Sequence, residues 1–210
     1  MDLRIADRTI WIASPAPEVS RELACVALEE GARVAIFSTA AARAVRSLRA
    51  RFGLQVLACA PSPASEDYGW PLQTAIQWGG PPEGLILHAP GPSPLAAQDG
   101  ELQIFCDQLT AGGSVVVLRE SRDADADDAD LTRIFEGDFD VAGTFITEHA
   151  RISMIGCLPQ SAAPSAGGRA ASRLAEPGCA ALAIFLIGRG APQLTVIGRD
   201  GLIHAASGGS

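Results

Sequence analysis

Four polar residues lie where the strands of an apolar sheet would end, and they are the side chains best placed to do chemistry. His88 ends the segment GLILH, and Arg119, Glu120 and Ser121 follow the segment SVVVL. Histidines and carboxylates are common proton carriers in enzymes, and ligands of parallel α/β proteins bind beyond the carboxyl ends of the strands. These residues are therefore the first candidates for an enzyme or ligand-binding protein with an atypical active site. The alternative for His88 is a hydrogen-bonded structural histidine.

The motifs of several well-known catalytic sites are absent from the sequence. The three histidines, His88, His149 and His204, are dispersed, and no HExxH, GxSxG or GK[ST] pattern occurs. All 16 basic residues are arginines, which excludes Schiff-base chemistry, a P-loop and Tyr-Lys proton transfer, since each needs a lysine. The five cysteines form no CxxC pair and lie among apolar residues. That pattern favours buried thiols over disulfides or metal ligands, so we expect no metal site.

Length and composition set the class of protein. The 210 residues are 48% hydrophobic and 19% charged, with a net charge of −8. These values predict one globular α/β domain over residues 1–210. No apolar run approaches the ~20 residues of a membrane span, and no basic-then-apolar leader opens the chain. We therefore expect a cytoplasmic protein that binds neither membranes nor, given its acidic charge, nucleic acid.

Apolar strand-like segments alternate with helical segments along the whole chain. This alternation predicts a parallel sheet with helices on both faces, which is a Rossmann-like, doubly wound, three-layer α/β/α fold. The predicted strands cover residues 9–14, 33–38, 54–60, 84–88, 114–118, 151–158 and 194–198. The predicted helices cover residues 17–30, 40–52, 67–78, 101–110, 131–149 and 177–187.

The first strand, helix and second strand, residues 8–38, have the outline of a dinucleotide-binding βαβ unit. Their sequence is RTIWIASPAPEVSRELACVALEEGARVAIFS. Such units hold the pyrophosphate in a glycine-rich turn between the first strand and the helix, where the backbone approaches the anion closely. The corresponding turn here, SPAP, contains no glycine. The sequence thus predicts the fold of a nucleotide-binding protein without its phosphate-binding turn.

Several local strings, in order, resemble the short-chain dehydrogenase/reductase (SDR) family over nearly the whole chain. RELACVALEEGARVAIFS is similar to the family's first helix and second strand. LILHAPG stands in the place of LVNNAG, GGSVVVLRES is similar to GGSIVNISS, and ARISMIGCLP stands in the place of IRVNAVAPG. The tail PGCAALAIFLIGRGAPQLTVIGRDGLI is similar to the final helix and strand. The resemblance implies an SDR-like Rossmann domain.

The resemblance also shows which cofactor contacts the chain lacks. The family's TGxxxGxG motif falls on residues 13–20, where its glycines become Ser14, Glu18 and Ser20. Two prolines remove N–H donors from this turn, and Glu18 brings a carboxylate to the position expected for a phosphate. The second asparagine of NNAG becomes His88. This comparison implies that the chain itself binds no NAD(P).

The catalytic residues that the resemblance would imply are missing too. The family uses a serine after the fifth strand and a YxxxK pair, and these fall near Arg119–Glu120, near Asp127 and near Leu131. The one tyrosine of the chain, Tyr68, precedes the fourth strand. The segment between the fourth and fifth strands is shortened to about one helix. The sequence therefore predicts a degenerate SDR-like protein without the glycine-rich and YxxxK motifs.

Three functions remain open. The first is a catalytically inactive pseudoenzyme that serves as a structural or regulatory subunit of a hetero-oligomeric NAD(P)-dependent oxidoreductase, with NAD(P) bound only by an active SDR-family partner. The second is the atypical enzyme or ligand-binding protein with His88 and Ser121 among its candidates. The third is a homo-oligomeric binding module. Family members associate through the helices flanking the fifth strand, which implies an oligomer with interface residues Leu131, Ile134, Phe135, Val141 and Phe145.

Overall fold

Eight strands form one sheet with the order β3-β2-β1-β4-β5-β6-β7-β8 in the computed structural model of the chain. The structure describes residues 5–61, 68–90, 99–121, 128–145, 151–158, 172–189, 193–197 and 203–206. All neighbouring strands pair in parallel except β7 and β8, which are antiparallel. The strands are β1 (Thr9–Ala13), β2 (Arg33–Phe37), β3 (Val56–Cys59), β4 (Gly84–Pro90), β5 (Ser114–Glu120), β6 (Arg151–Cys157), β7 (Gln193–Ile197) and β8 (Ile203–Ala206).

Helices cover both faces of the sheet, so the predicted three-layer, Rossmann-like α/β architecture is confirmed. One face packs against α1, α2 and α6, and the other packs against α3, α4 and α5. The helices are α1 (Pro17–Glu29), α2 (Ala41–Phe52), α3 (Gly69–Gly79), α4 (Asp99–Cys106), α5 (Asp128–Phe145) and α6 (Pro177–Arg189). None of these described helices has the length and apolar character that a membrane crossing requires.

The strands are apolar on both faces because each face is covered by helices. In β1, Ile10 and Ile12 belong to the core under α1 and α6, whereas Trp11 between them belongs to the core under α3 and α4. Helix α1 is followed by a glycine in the left-handed region, since Gly31 has a φ of +87°. Its N–H donates to the carbonyl oxygen of Leu28, as predicted for a C-terminal cap.

The structure differs from the sequence prediction mainly at the carboxyl ends of the strands. The fourth and fifth strands each continue two residues further than predicted, so His88 lies inside β4 rather than at its end. Helix α5 begins at Asp128, within the acidic run, and the predicted residues 146–149 lie outside the described part. The sequence prediction missed β8 because only four residues, IHAA, form it, and they add to the edge as the second arm of a hairpin.

Helix α5 packs directly on β6 at a position that only glycine allows. A Cβ atom at Gly156 would overlap the ring of Phe135, a side chain that is buried against the sheet. Gly137 lies in α5 itself, and nothing is found within 4 Å of the position that its Cβ atom would take. The two glycines therefore differ in role, since one lets α5 approach the sheet and the other faces open space.

Alanine at these two positions should shift stability in opposite directions. We expect Gly156→Ala to lower the free energy of unfolding by about 1–3 kcal/mol, because Phe135 must leave its place. We expect Gly137→Ala to raise it by about 0.5–1 kcal/mol through helix propensity. Urea denaturation followed by circular dichroism measures both. Equal stability of Gly156→Ala and the unmodified chain would contradict this packing of α5.

Candidate functional site

The carboxyl ends of β1 and β4 form the point where a nucleotide-binding sheet usually holds its ligand. The chain runs from β1 outward to β2 and β3, then returns to place β4 on the other side of β1. Ligands of open α/β sheets bind in the crevice at such a reversal of strand order. Ala13 of β1 pairs with Leu87 of β4. The next residues, Ser14 and His88, therefore lie side by side although they are far apart in sequence.

Ser14 and His88 form a buried polar pair at this crevice. The Oγ atom of Ser14 lies 2.8 Å from Nδ1 of His88, within hydrogen-bond distance. The same oxygen accepts the backbone N–H of Ala16 at 3.2 Å. The Ser14 hydroxyl thus links the turn after β1 to β4. These two residues stand where the resemblance places the first glycine of the phosphate loop and the second asparagine of NNAG.

The turn before α1 keeps no backbone donor for an anion over residues 14–17. The N–H of Ser14 donates to the carbonyl oxygen of Phe37 at 3.2 Å, and that of Ala16 donates to the Ser14 hydroxyl. Pro15 and Pro17 have no N–H. A phosphate-binding turn works by directing such donors at its ligand. Here the donors of this segment are bonded within the protein or do not exist.

Glu18 and Ser20 complete the turn in different ways. Glu18 lies in the first turn of α1 and is exposed, where its negative charge complements the positive end of the helix dipole. Ser20 is fully buried, and its hydroxyl donates to the carbonyl oxygen of Ala16 at 3.2 Å. The Glu18 side chain therefore does not fill the turn. The Ser14 hydroxyl closes the turn instead. Its hydrogen-bond partners were not predicted from the sequence.

Arg119 forms an ion pair on the opposite face of the sheet. Its Nε atom donates to Oδ2 of Asp138 on α5 at 2.8 Å, and its Nη1 atom donates to the carbonyl oxygen of Ala89 in β4 at 2.8 Å. The two side chains are only 1% and 4% exposed. The pair occupies the end of β5 and the helix after it, the places that the resemblance assigns to the catalytic serine and the YxxxK motif.

The four candidate residues do not all lie on one side of the sheet. Successive side chains of a strand point to opposite faces, so Glu120 and Arg119 lie on different sides of the sheet. The Glu120 carboxylate accepts the Ser172 hydroxyl at 3.0 Å. Ser121 is buried, and its N–H donates to the carbonyl oxygen of Cys157 at 3.2 Å. The sheet therefore separates the side chain of Arg119 from that of Glu120.

Cys59 and Cys106 are poor nucleophiles because burial raises the pKa of each thiol. Burial raises the pKa of the Cys59 thiol, at the end of β3, to about 12. Burial, with a smaller effect of the neighbouring Asp107 carboxylate, raises the pKa of Cys106 to about 11. Both remain protonated near neutral pH, whereas the thiolate is the reactive form. In the part of the chain that the structure describes, no three His, Cys, Asp or Glu side chains lie together so that they could hold a metal ion.

The predicted interface residues of α5 have different environments. Leu131 and Phe135 are buried against the sheet, so they pack α5 onto the core and offer no surface to a partner. Ile134 is 44% exposed, and Val141 is half-buried against the same core. The side chain of Phe145 lies outside the described part. Of the described members, Ile134 is therefore the one available for contact with another chain.

Solved SDR structures have the same fold. A hydroxysteroid dehydrogenase from Escherichia coli is 18% identical with a TM-score of 0.64, over 96% of this chain and 99% of that chain. An SDR from Brucella melitensis, described as a glucose/ribitol dehydrogenase, is 12% identical with a TM-score of 0.60, over 90% and 92%. An SDR from Serratia marcescens is 14% identical with a TM-score of 0.59, over 90% and 94%. The chain therefore has an SDR-like Rossmann fold.

The likeness lies in the fold rather than in the sequence. No protein-family model matches the chain, and no curated protein matches it in sequence. The similar structures cover nearly all of this chain at identities of 12–18%, so the likeness concerns the fold alone. The roles of the residues at the carboxyl edge must therefore be argued from their own contacts.

Substitutions of Ser14 and Ser20 test whether the Ser14 hydroxyl stabilises the turn. We expect Ser14→Ala to lower the free energy of unfolding by about 1–3 kcal/mol, because the buried Nδ1 atom of His88 and the half-buried N–H of Ala16 then lose the Ser14 hydroxyl. Ser20→Ala is the matched control, since its hydroxyl donates to the carbonyl of the same Ala16 and alanine favours the helix. We expect a change below about 1 kcal/mol for the control. Equal losses in urea denaturation would contradict the role of Ser14.

A double-mutant cycle measures the buried ion pair. We expect Arg119→Met and Asp138→Leu each to destabilise the protein by about 3–5 kcal/mol, because each leaves a buried charge without its partner. The double variant should be much more stable than the sum of the two losses implies. Urea denaturation of the four proteins provides the coupling energy. Additive losses would show that Arg119 and Asp138 do not act as a pair.

Proposed function

We propose that this chain is a catalytically inactive, SDR-like subunit of a hetero-oligomeric NAD(P)-dependent oxidoreductase, acting in the cytoplasm. The observation that carries the proposal is the closed turn before α1. The Ser14 hydroxyl occupies the Ala16 N–H and contacts His88, while Pro15 and Pro17 supply no donors. The crevice at the reversal of strand order is therefore completed by protein groups where a dinucleotide would need backbone donors.

The second argument for inactivity concerns proton transfer. The chain has no lysine, and its one tyrosine, Tyr68, precedes α3 instead of lying on α5. The end of β5 is joined to α5 by the Arg119–Asp138 pair, and the Arg119 guanidinium also donates to the carbonyl oxygen of Ala89. This pair belongs to the elements where the resemblance places the proton-transferring tyrosine and lysine, and neither of its residues is of those types. Catalysis and the cofactor therefore belong to the partner.

The third argument concerns association. The chain retains α4 and α5 beside the sheet, and α5 presents Ile134 while burying Leu131 and Phe135. An isolated exposed isoleucine is ordinary on a protein surface, so the support comes from its position on the helix through which SDR oligomers associate. We propose that this helix contacts an active SDR-family subunit, and that this chain contributes structure or regulation.

A cofactor titration tests the loss of nucleotide binding. We expect no saturable binding of NADH or NADPH by isothermal titration calorimetry, and no rise in melting temperature at about 1 mM of either. A site with a Kd of ~10 µM would instead add about 2.7 kcal/mol at that concentration, which corresponds to roughly 5–11 °C for a domain of this size. Binding at micromolar strength would overturn the proposal.

One observation favours a second candidate, an SDR-related or ligand-binding enzyme with an atypical site. A serine hydroxyl 2.8 Å from an imidazole nitrogen, as in Ser14 and His88, is also the contact by which enzymes activate a nucleophile. Treatment with phenylmethylsulfonyl fluoride followed by intact-mass spectrometry separates the two candidates. Under the main proposal the mass is unchanged. An adduct that Ser14→Ala and His88→Ala both abolish would establish the second candidate instead.

A further inference from the structure

Strand β3 forms one edge of the sheet, because it pairs only with β2. The carbonyl oxygen of Cys59 accepts the N–H of Ser38, which follows β2, so the backbone groups of Cys59 face β2. The backbone groups of the preceding residue in a strand face the opposite side. The N–H and the carbonyl of Ala58 therefore point away from the sheet, and neither bonds to another element within the part of the chain that the structure describes. This edge can hydrogen-bond an added strand.

The β3 edge has apolar side chains where natural proteins commonly place charges to protect an exposed strand. The strand is VLAC, without a charged residue or proline, and Leu57 and Ala58 are half-buried. Leu54, just before β3, is 87% exposed, and Trp70 in α3 is 74% exposed. Because α3 connects the parallel strands β3 and β4, it runs opposite to them, and Trp70 in its first turn lies at their carboxyl end. The two apolar side chains thus lie near opposite ends of the β3 edge.

The part of the chain that forms this edge is basic, although the whole chain has a net charge of −8. Residues 31–82 contain five arginines and two acids, and both acids lie outside the described part. The exposed bases of α2 are Arg43, Arg46 and Arg49. None of these three forms an ion pair with a residue that the structure describes. Their positive charge is therefore available to a partner.

The orientation of α2 directs two of these arginines toward the edge. Arg51 lies on the side of α2 next to α1, since its Nη1 atom is 2.8 Å from Oε1 of Glu29. At 100° per residue, Arg49 and Arg46 lie about 160° and about 140° around the helix from Arg51. They are therefore on the side of α2 away from α1. Since β3 lies beyond β2 as seen from β1, that side of α2 is the side of the β3 edge.

Helix α3, in the other layer beside the β3 edge, carries no charge. Its sequence is GWPLQTAIQWG, and its exposed side chains are those of Trp70, Gln73 and Gln77. One face of an added strand would therefore meet arginines, and the other would meet a neutral surface with an exposed tryptophan. Successive side chains of a strand point to opposite faces. The complementary segment thus alternates acidic with apolar residues.

A second copy of this chain matches the β3 edge poorly. Antiparallel pairing of two β3 edges about a two-fold axis would place α2 beside α2, so Arg46 and Arg49 of both copies would repel each other. The strand at the other end of the sheet, β8, has the sequence IHAA and offers no acid. Nucleic acids and anionic membranes are repelled by the net charge of −8, and neither has the peptide groups that the Ala58 backbone would bond.

From these observations we infer that the β3 edge binds an acidic, extended segment of another protein as an added strand. The backbone of Ala58 hydrogen-bonds the segment, Arg46 and Arg49 attract its acidic side chains, and Leu54 and Trp70 contact apolar residues toward its ends. The site contains no residue of the closed turn before α1 and none of α5. It is therefore a binding function separate from the one proposed above.

A synthetic peptide tests this binding site. The probe is the fluorescein-labelled peptide GEVETEVEG, followed by fluorescence anisotropy at about 50 mM salt, where exposed charges are weakly screened. We expect saturable binding with a Kd on the order of 10–100 µM, because a four-residue edge provides less contact than a standard interface. Bound peptide should also slow hydrogen exchange of the Ala58 amide, measured by NMR.

Two control peptides separate an added strand from simple charge attraction. GEEEEVTVG has the same composition, but its acids fall on both faces of a strand, so we expect it to bind at least roughly tenfold more weakly. The charge-reversed peptide GKVKTKVKG should not bind, because its lysines meet the arginines of α2.

Matched variants of the chain locate the site. Ala58→Pro removes the outward N–H without removing a bond to β2 and should abolish binding, whereas Ala58→Ser keeps that N–H and should bind normally. Arg46→Glu/Arg49→Glu should weaken binding at least roughly tenfold. Arg21→Glu/Arg133→Glu makes the same change of charge at exposed positions on α1 and α5 and should change the Kd less than about twofold. Circular dichroism checks that each variant is folded.

Several results would overturn the inference. The peptide could fail to bind, or both acidic peptides could bind equally, which would show charge attraction without an added strand. Normal binding by folded Ala58→Pro would have the same meaning. Tighter binding of a DNA duplex or of phosphatidylserine vesicles would assign the arginines to another class of partner. A dimer in sedimentation velocity that Ala58→Pro abolishes would assign the edge to a second copy. None of these results depends on the cofactor titration.

Discussion

The half-buried backbone N–H of Ala16, at the start of α1, has a protein acceptor in this chain, and that acceptor decides which donors remain for a ligand. Unpaired buried donors cost about 1–3 kcal/mol, so a nucleotide-binding turn is incomplete without an anion or water. In this chain Ser14 provides the acceptor for Ala16 and extends the bond to His88 in β4. The turn is thereby complete without a ligand. One hydroxyl group, together with Pro15 and Pro17, thus leaves residues 14–17 without a free backbone donor, and this is the basis of the proposal that the chain binds no dinucleotide.

The Arg119–Asp138 pair completes the other face of the sheet in the same self-contained manner. Burying two charges carries a desolvation cost that their attraction barely offsets, so the pair adds little net stability. Its contribution is geometric. The guanidinium contacts Asp138 on α5 and the Ala89 carbonyl of β4, which ties the helix to two strands at the edge where substrates would enter. With Phe135 seated on Gly156, the pair holds α5 in one orientation and keeps Ile134 at its surface.

Much of the fold could be predicted from the sequence, because hydrophobic periodicity and turn residues are local signals. The apolar runs predicted seven strands, and Gly31 marked the end of α1. The contacts at the carboxyl edge could not be predicted in the same way. Ser14 was identified as a replaced glycine, yet no nearby residue in the sequence indicates that His88 is its partner. Likewise, nothing in the sequence distinguishes Asp138 from the other acidic residues of α5 as the partner of Arg119. Such pairs depend on strand order and register, which join residues distant in sequence.

The proposed loss of nucleotide binding is compatible with retention of α4 and α5, because the turn before α1 and these two helices lie in different layers. The closed turn belongs to β1 and α1, whose core contains Ile10, Ile12 and Leu23. Helices α4 and α5 rest on a separate core that contains Phe105 and Phe135. Residues 14, 18 and 20, where the resemblance places the phosphate-binding glycines, lie in the turn before α1 and in its first turn, and none of them belongs to that core. Other residues at these positions therefore leave α4 and α5 supported by their own core, so the proposed loss of nucleotide chemistry is compatible with the proposed association through α5.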